Sequence, residues 1–161
     1  MALGLIQWKG LGIWIQGVCI VKTALLGHSG FWNHCVGCLL FNSTATYNWE
    51  EANNYCQFEA NGSLIEIINE EQLAFVQMEL WVLADHEGDH YWWTSGTDLG
   101  REGRWYWASS LTPVGSFIWY TNEPGSPKSN CLYLEYAWGW EGGDVPCDYK
   151  SNIYPICQTV D

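Results

Sequence analysis

The chain has 161 residues, eighteen acids against six bases, and a net charge of −12. The length suits one domain with room for a core. The charge excludes a nucleic-acid binder, whose phosphate contacts need Lys and Arg, and adhesion to an anionic membrane surface. Twelve Trp and nine Tyr point to an aromatic-rich core, and seven Cys to an oxidising compartment with one thiol outside any intramolecular pairing.

Residues 1–30 read as a leader. Gly10 to Val21 is an apolar run between Lys9 and Lys22. It is too short to span a bilayer as a helix and fits a signal segment or a poorly ordered tail with few contacts to the domain. The domain itself occupies 31–161. Asn42-Ser43-Thr44 and Asn61-Gly62-Ser63 are glycosylation acceptor sequences. With the cysteines they favour an extracellular, secreted protein.

The first strand is expected over Phe31 to Phe41. Asn48 with Glu51 forms a capping pattern, and Trp49, Ala52 and Cys56 follow as one buried stripe of a helix that Gly62 stops. Leu64 to Ile68 reads as extended. Asn69 with Gln72 repeats the cap, and Leu73, Val76 and Leu80 repeat the stripe, in a second helix to about Leu83. Ala84 to His90 is a polar loop. Tyr91 to Thr94 reads as a strand, Ser95 to Asp98 as a turn, and Trp105 to Trp107 as another strand. Thr112 to Pro127 is a long loop, of a length that is uncommon unless functional. Cys131 to Tyr136 and Ile153 to Cys157 complete the strands. Two helices packed on short, mostly antiparallel strands with a long irregular loop make an α+β domain.

Several stretches carry more than periodicity. Trp49-Glu50-Glu51-Ala52 runs toward Cys56, and Leu64-Ile65-Glu66-Ile67 leads into Glu70-Glu71. Trp93-Thr94-Ser95-Gly96-Thr97-Asp98 precedes Trp105-Tyr106-Trp107. Trp119 stands ahead of Glu123-Pro124-Gly125, and Gly143-Asp144-Val145-Pro146 leads into Cys147. Together these resemble the C-type lectin-like domain family across roughly Phe31 to Gln158, with the central Trp strand in a variant common among arthropod members. The resemblance implies that Cys56 pairs with Cys157 and Cys131 with Cys147. Cysteine spacing by itself allows other connectivities. Cys38 sits where longer members carry an extra Cys, and Cys19 and Cys35 have no counterpart.

The resemblance also implies a site. In sugar-binding members five positions hold calcium: an acid and an Asn around a Pro, a following Glu, and an Asn-Asp step. Two of these, Glu123 and Asp144, are present here, whereas Gly125, Ser129 and Gly143 stand at the other three. Both amides that would donate to sugar hydroxyls are therefore missing. The expectation is a degenerate site that holds calcium weakly, in the millimolar class. The competing use of Glu123 and Asp144 is to hydrogen-bond a loop backbone. Asp98 and Glu102 keep the spacing of an auxiliary calcium site, although Asp98 also suits a turn cap. Trp119, Trp138 or Trp140 would stack on a sugar face.

The expected function is extracellular carbohydrate recognition with weakened or lost calcium-dependent mannose-type binding. The alternative is calcium-independent recognition of a protein, ice or another ligand on the same fold. The partner is a glycan or glycoprotein, with no nucleic acid and no membrane insertion of the domain. An enzyme is not expected: Cys35 beside His34 lacks an orienting third group, and no phosphate loop or nucleophile elbow occurs.

Overall fold

One strand, Ile153–Thr159 (β9), joins the two halves of the sheet. Its first residues pair in parallel with Tyr91–Thr97 (β5), and its last residues pair antiparallel with Cys35–Phe41 (β3) and Gly62–Leu64 (β4). The computed structural model describes residues 2–10, 13–21, 35–83 and 90–159. Beyond β5 the sheet continues antiparallel through Cys131–Glu135 (β7) to Glu141–Val145 (β8), with Tyr106–Trp107 (β6) paired to the end of β5. The architecture is the expected α+β one.

Helix α1 runs over Trp49–Phe58 and opens on a full capping box. The Asn48 side chain accepts from the Glu51 N–H, and the Glu51 carboxylate accepts from the Asn48 N–H. Ala52 and Cys56 are buried, and Cys56 is bonded to Cys157 on β9, so the helix is anchored on the central strand. Helix α2, Glu70–Leu83, buries Leu73, Val76 and Leu80 at helical spacing. Its cap differs slightly from expectation. Asn69 accepts from Gln72, but Gln72 reaches back to the N–H of Ile68 rather than of Asn69.

Four expectations are corrected. The residues read as a turn after Thr94 continue β5 through Thr97 and are buried. The reason is that Thr94 and Thr97 give their hydroxyls to carbonyls of Leu132 and Asn130, so polar residues serve as strand core. Gly62 does not stop α1, which ends at Phe58. It opens β4, where an added Cβ would lie 2.0 Å from the Gln158 carbonyl oxygen. Strand β8 was missing from the reading because Gly142 and Gly143 look like loop, yet here they let the strand approach Ile118 and Trp138.

The fourth correction concerns the leader. Ala2–Gly10 (β1) and Ile13–Val21 (β2) pair with each other, and β2 pairs antiparallel with β3. The expectation of few contacts fails for these residues, because an apolar run next to an open strand edge adds to the sheet. Residues 31–34 of the expected first strand and most of the 84–90 loop lie outside the described residues.

The core has two parts. Leu39, Phe41, Ile65, Ile67, Trp92, Trp107, Leu132 and Trp140 build one beneath α2, and Ala52, Leu64, Trp93 and Ile153 join the Cys56–Cys157 and Cys131–Cys147 bridges in the other. Cys38 is disulfide-bonded as well.

Candidate functional site

The long loop leaves β6 and returns to β7. It carries a short 3-10 turn at Ser116–Ile118, and Trp119 bridges to Gly142 on β8. That bridge brings the loop beside the strand that holds Asp144. The Glu123–Pro124 peptide is cis. Around it Asp144 accepts from the backbone N–H of Gly125 at 2.8 Å and of Ser126 at 3.1 Å, one bond to each carboxylate oxygen. The Glu123 N–H is held by the Tyr120 carbonyl.

Glu123 and Asp144 are therefore brought together, as the sequence pattern required. Their carboxyl groups touch. Partial burial, then a hydrogen bond to Asp144 and the charge of Asp144, push the Glu123 carboxyl up to about 7. Near neutral pH the Glu123 carboxyl therefore still carries a proton in part of the molecules.

The other sequence candidates fall elsewhere. Gly125 sits with its Cα side facing the Glu123 carboxylate, and an added Cβ would rest 3.7 Å from both oxygens. Ser129 is only 6% exposed and turned into a Ser126–Ser129 turn. At Gly143 a Cβ would meet Cζ3 of Trp138 at 2.5 Å. The Trp138 ring occupies the space that a side chain at 143 would need. It is held there by a parallel stack on Tyr120, with centroids 4.7 Å apart, and by Tyr133 on its other flank. Tyr120 was not among the sequence candidates; its only signal is its place next to Trp119.

Two assignments are corrected by burial. Trp140 is 0% exposed and packs edge-on against Trp81 and Tyr136, so it cannot stack on a sugar. Asp98 is 1% exposed and both its oxygens are taken, by the Asn130 amide at 2.8 Å and the Gly103 N–H at 2.7 Å. Glu102 is exposed on the loop that Asp98 braces. Asp98 braces the turn, and both its oxygens are used in doing so. Trp119 is half-buried against Trp105 at 4.7 Å.

The donor set does not fit a calcium ion of the sugar-coordinating kind. Such an ion needs six to eight oxygens. Here two carboxylates face each other, and one of them already accepts a loop N–H on each oxygen. Among the described residues no group of three or more His, Cys, Asp or Glu converges.

Comparison with known proteins agrees with this geometry. Residues 45–159 match the family model described as Lectin C-type domain. The chain belongs to the C-type lectin domain family. It is 29% identical over 131 residues to CD209 antigen-like protein C of Mus musculus, covering 79% of this chain and spanning 66% of that protein. Human lithostathine superposes with a TM-score of 0.68 at 26% identity, over 80% of this chain and 95% of that one. A calcium-independent type II antifreeze protein shares the fold, with a TM-score of 0.62 at 22% identity, over 85% of this chain and 96% of that one. In this C-type lectin domain Glu123 and Asp144 lie beside Gly125 and Gly143.

The glycosylation candidates also separate. Asn42 is 2% exposed, and its side-chain oxygen accepts from the N–H and hydroxyl of Thr44. A glycan has no room there, which corrects that assignment. Asn61 is exposed in the turn before β4, with φ of 50°.

Proposed function

We propose that this chain is an extracellular glycan-recognition module that has lost calcium-dependent mannose-type binding. The observation that carries this reading is the Trp138 ring over Gly143. It fills the place of an amide that would meet a sugar hydroxyl, while Asp144 is committed to the loop backbone. Calcium bound through Glu123 and Asp144 is of the millimolar class. Recognition then rests on aromatic faces and polar loop groups. The bridges Cys56–Cys157 and Cys131–Cys147 support an oxidising, extracellular setting, and no helix of the described residues is long and apolar enough to cross a membrane. Asn61 is the proposed carrier of any glycan.

A glycan array read with calcium and with chelator tests this reading. The bound set should be the same in both conditions and should not be the mannose-type set. Binding that vanishes with chelator overturns it.

A protein ligand is the second reading. The side of α2 away from the core exposes Met78, Trp81 and Val82, an apolar strip unusual for a solvent-facing helix.

Cleavage of the leader is proposed separately. Secreted material should then begin between about Val18 and Gly30. Removing that segment would take β2 from the edge of β3, so amino-terminal sequencing also reports which edge the mature sheet presents.

A further inference from the structure

A cleft of about 680 Å³ lies between the 100–106 loop and residues 111–124, with Pro124 in its lining. That volume is within the range of small-molecule and saccharide sites. Its walls are preformed. Asp98 braces one through Gly103 and Asn130, and the Val114 N–H ties the other to the Trp105 carbonyl at 3.1 Å.

The chemistry of the lining departs from that of the chain. Acids outnumber bases eighteen to six overall, yet no Asp or Glu lines this cleft, while Arg101 and Arg104 both do. Glu102, between them in sequence, is not part of the lining. Among the described residues neither Arg101 nor Arg104 forms an ion pair with a carboxylate. The floor is the Trp105–Trp119 pair with Pro113 and Pro124. Unpaired guanidinium groups over an aromatic floor suit a ligand with an anionic substituent on a ring that has an apolar C–H face.

We propose that this cleft is a second, calcium-independent site for an acidic saccharide, whose sulfate or carboxylate is held by Arg101 and Arg104. The proposal rests on the glycan-recognition reading but uses neither Glu123 nor Asp144.

The test is calorimetric titration of the full chain, in chelator, with a heparin-derived hexasaccharide, a hyaluronan hexasaccharide, neutral chitohexaose and hexaglutamate. At least one acidic saccharide should bind with one-to-one stoichiometry. Chitohexaose and hexaglutamate should bind at least about tenfold more weakly. The Arg101→Gln/Arg104→Gln variant, changed only at exposed side chains, should lose about tenfold or more in affinity for the acidic saccharide at an unchanged melting temperature. Preference for heparin assigns sulfate as the anchor, and preference for hyaluronan assigns carboxylate. Equal binding of hexaglutamate overturns the saccharide assignment. An unaffected double variant, or no binding of either acidic saccharide, overturns the site. Neither result touches the array profile with and without calcium, which reports the first reading alone.

Discussion

Glu123 and Asp144 show how two retained carboxylates behave once their companions are glycine and serine. The native state holds a proton on Glu123 up to about 7, whereas the ordinary value is 4.5. Between these values the folded protein binds more protons than the unfolded chain. Stability from this group is therefore fully present below 4.5, falls as pH rises through the window, and is gone above about 7. Melting temperatures should decline across that window, and Glu123→Gln should flatten the profile. Parallel profiles for the two proteins would refute the raised Glu123 carboxyl. Gly143 makes the complementary point about space. Adding Asn there, in imitation of sugar-binding relatives, drives a side chain into Trp138 and should cost about 1–3 kcal/mol in denaturant unfolding. An unchanged midpoint would mean that the Trp138–Tyr120 stack yields freely. Repairing the site therefore requires removing the Trp138 ring as well as restoring the amides.

At the scale of elements, what could be read in the sequence was what local chemistry specifies. Both helices announced themselves through caps and a 3.6-residue stripe, and the α1 box is fully formed. Asn48→Ala should accordingly lower stability by about 0.5–2 kcal/mol, measured by urea unfolding; a loss well below that would mean tertiary contacts alone fix the start of α1. The misses were elements whose character is set by partners distant in sequence. Ser95-Gly96-Thr97 has turn composition, but becomes strand because β6 and β7 supply its partners. Gly142-Gly143 has loop composition, but becomes β8 because it needs room beside Ile118 and Trp138. The site divided the same way. The pairing of Glu123 with Asp144 followed from the motif resemblance. The burial of Trp140 and Asp98, the plug at Gly143 and the acid-free cleft around Arg101 and Arg104 depend on where distant loops come to rest. A faint signal for the cleft existed: two of six bases stand three residues apart in an acid-rich chain.

For the whole molecule, the two bridges determine which part can vary. Cys56–Cys157 closes a span of 101 residues and ties α1 to β9, while Cys131–Cys147 closes a span of 16 between β7 and the segment after β8. In the chain-entropy description the longer one contributes about 4.7 kcal/mol and the shorter about 3 kcal/mol. Peptide mapping without reduction should recover both, with Cys38 in a further bridge. Exchange among the four would contradict the fold. With its ends fixed in this way, the 112–130 loop can change in sequence while the rest of the sheet keeps its register.

The site proposed for this C-type lectin domain holds two carboxylates, Glu123 and Asp144, without the donor set of a sugar-coordinating calcium ion. Its most direct test is the melting temperature as a function of calcium, since an ion that binds only the native state raises it by linkage. No shift is expected at micromolar calcium, a small rise at millimolar calcium, and loss of that rise in Asp144→Ala. A rise already complete at micromolar calcium would contradict that proposal.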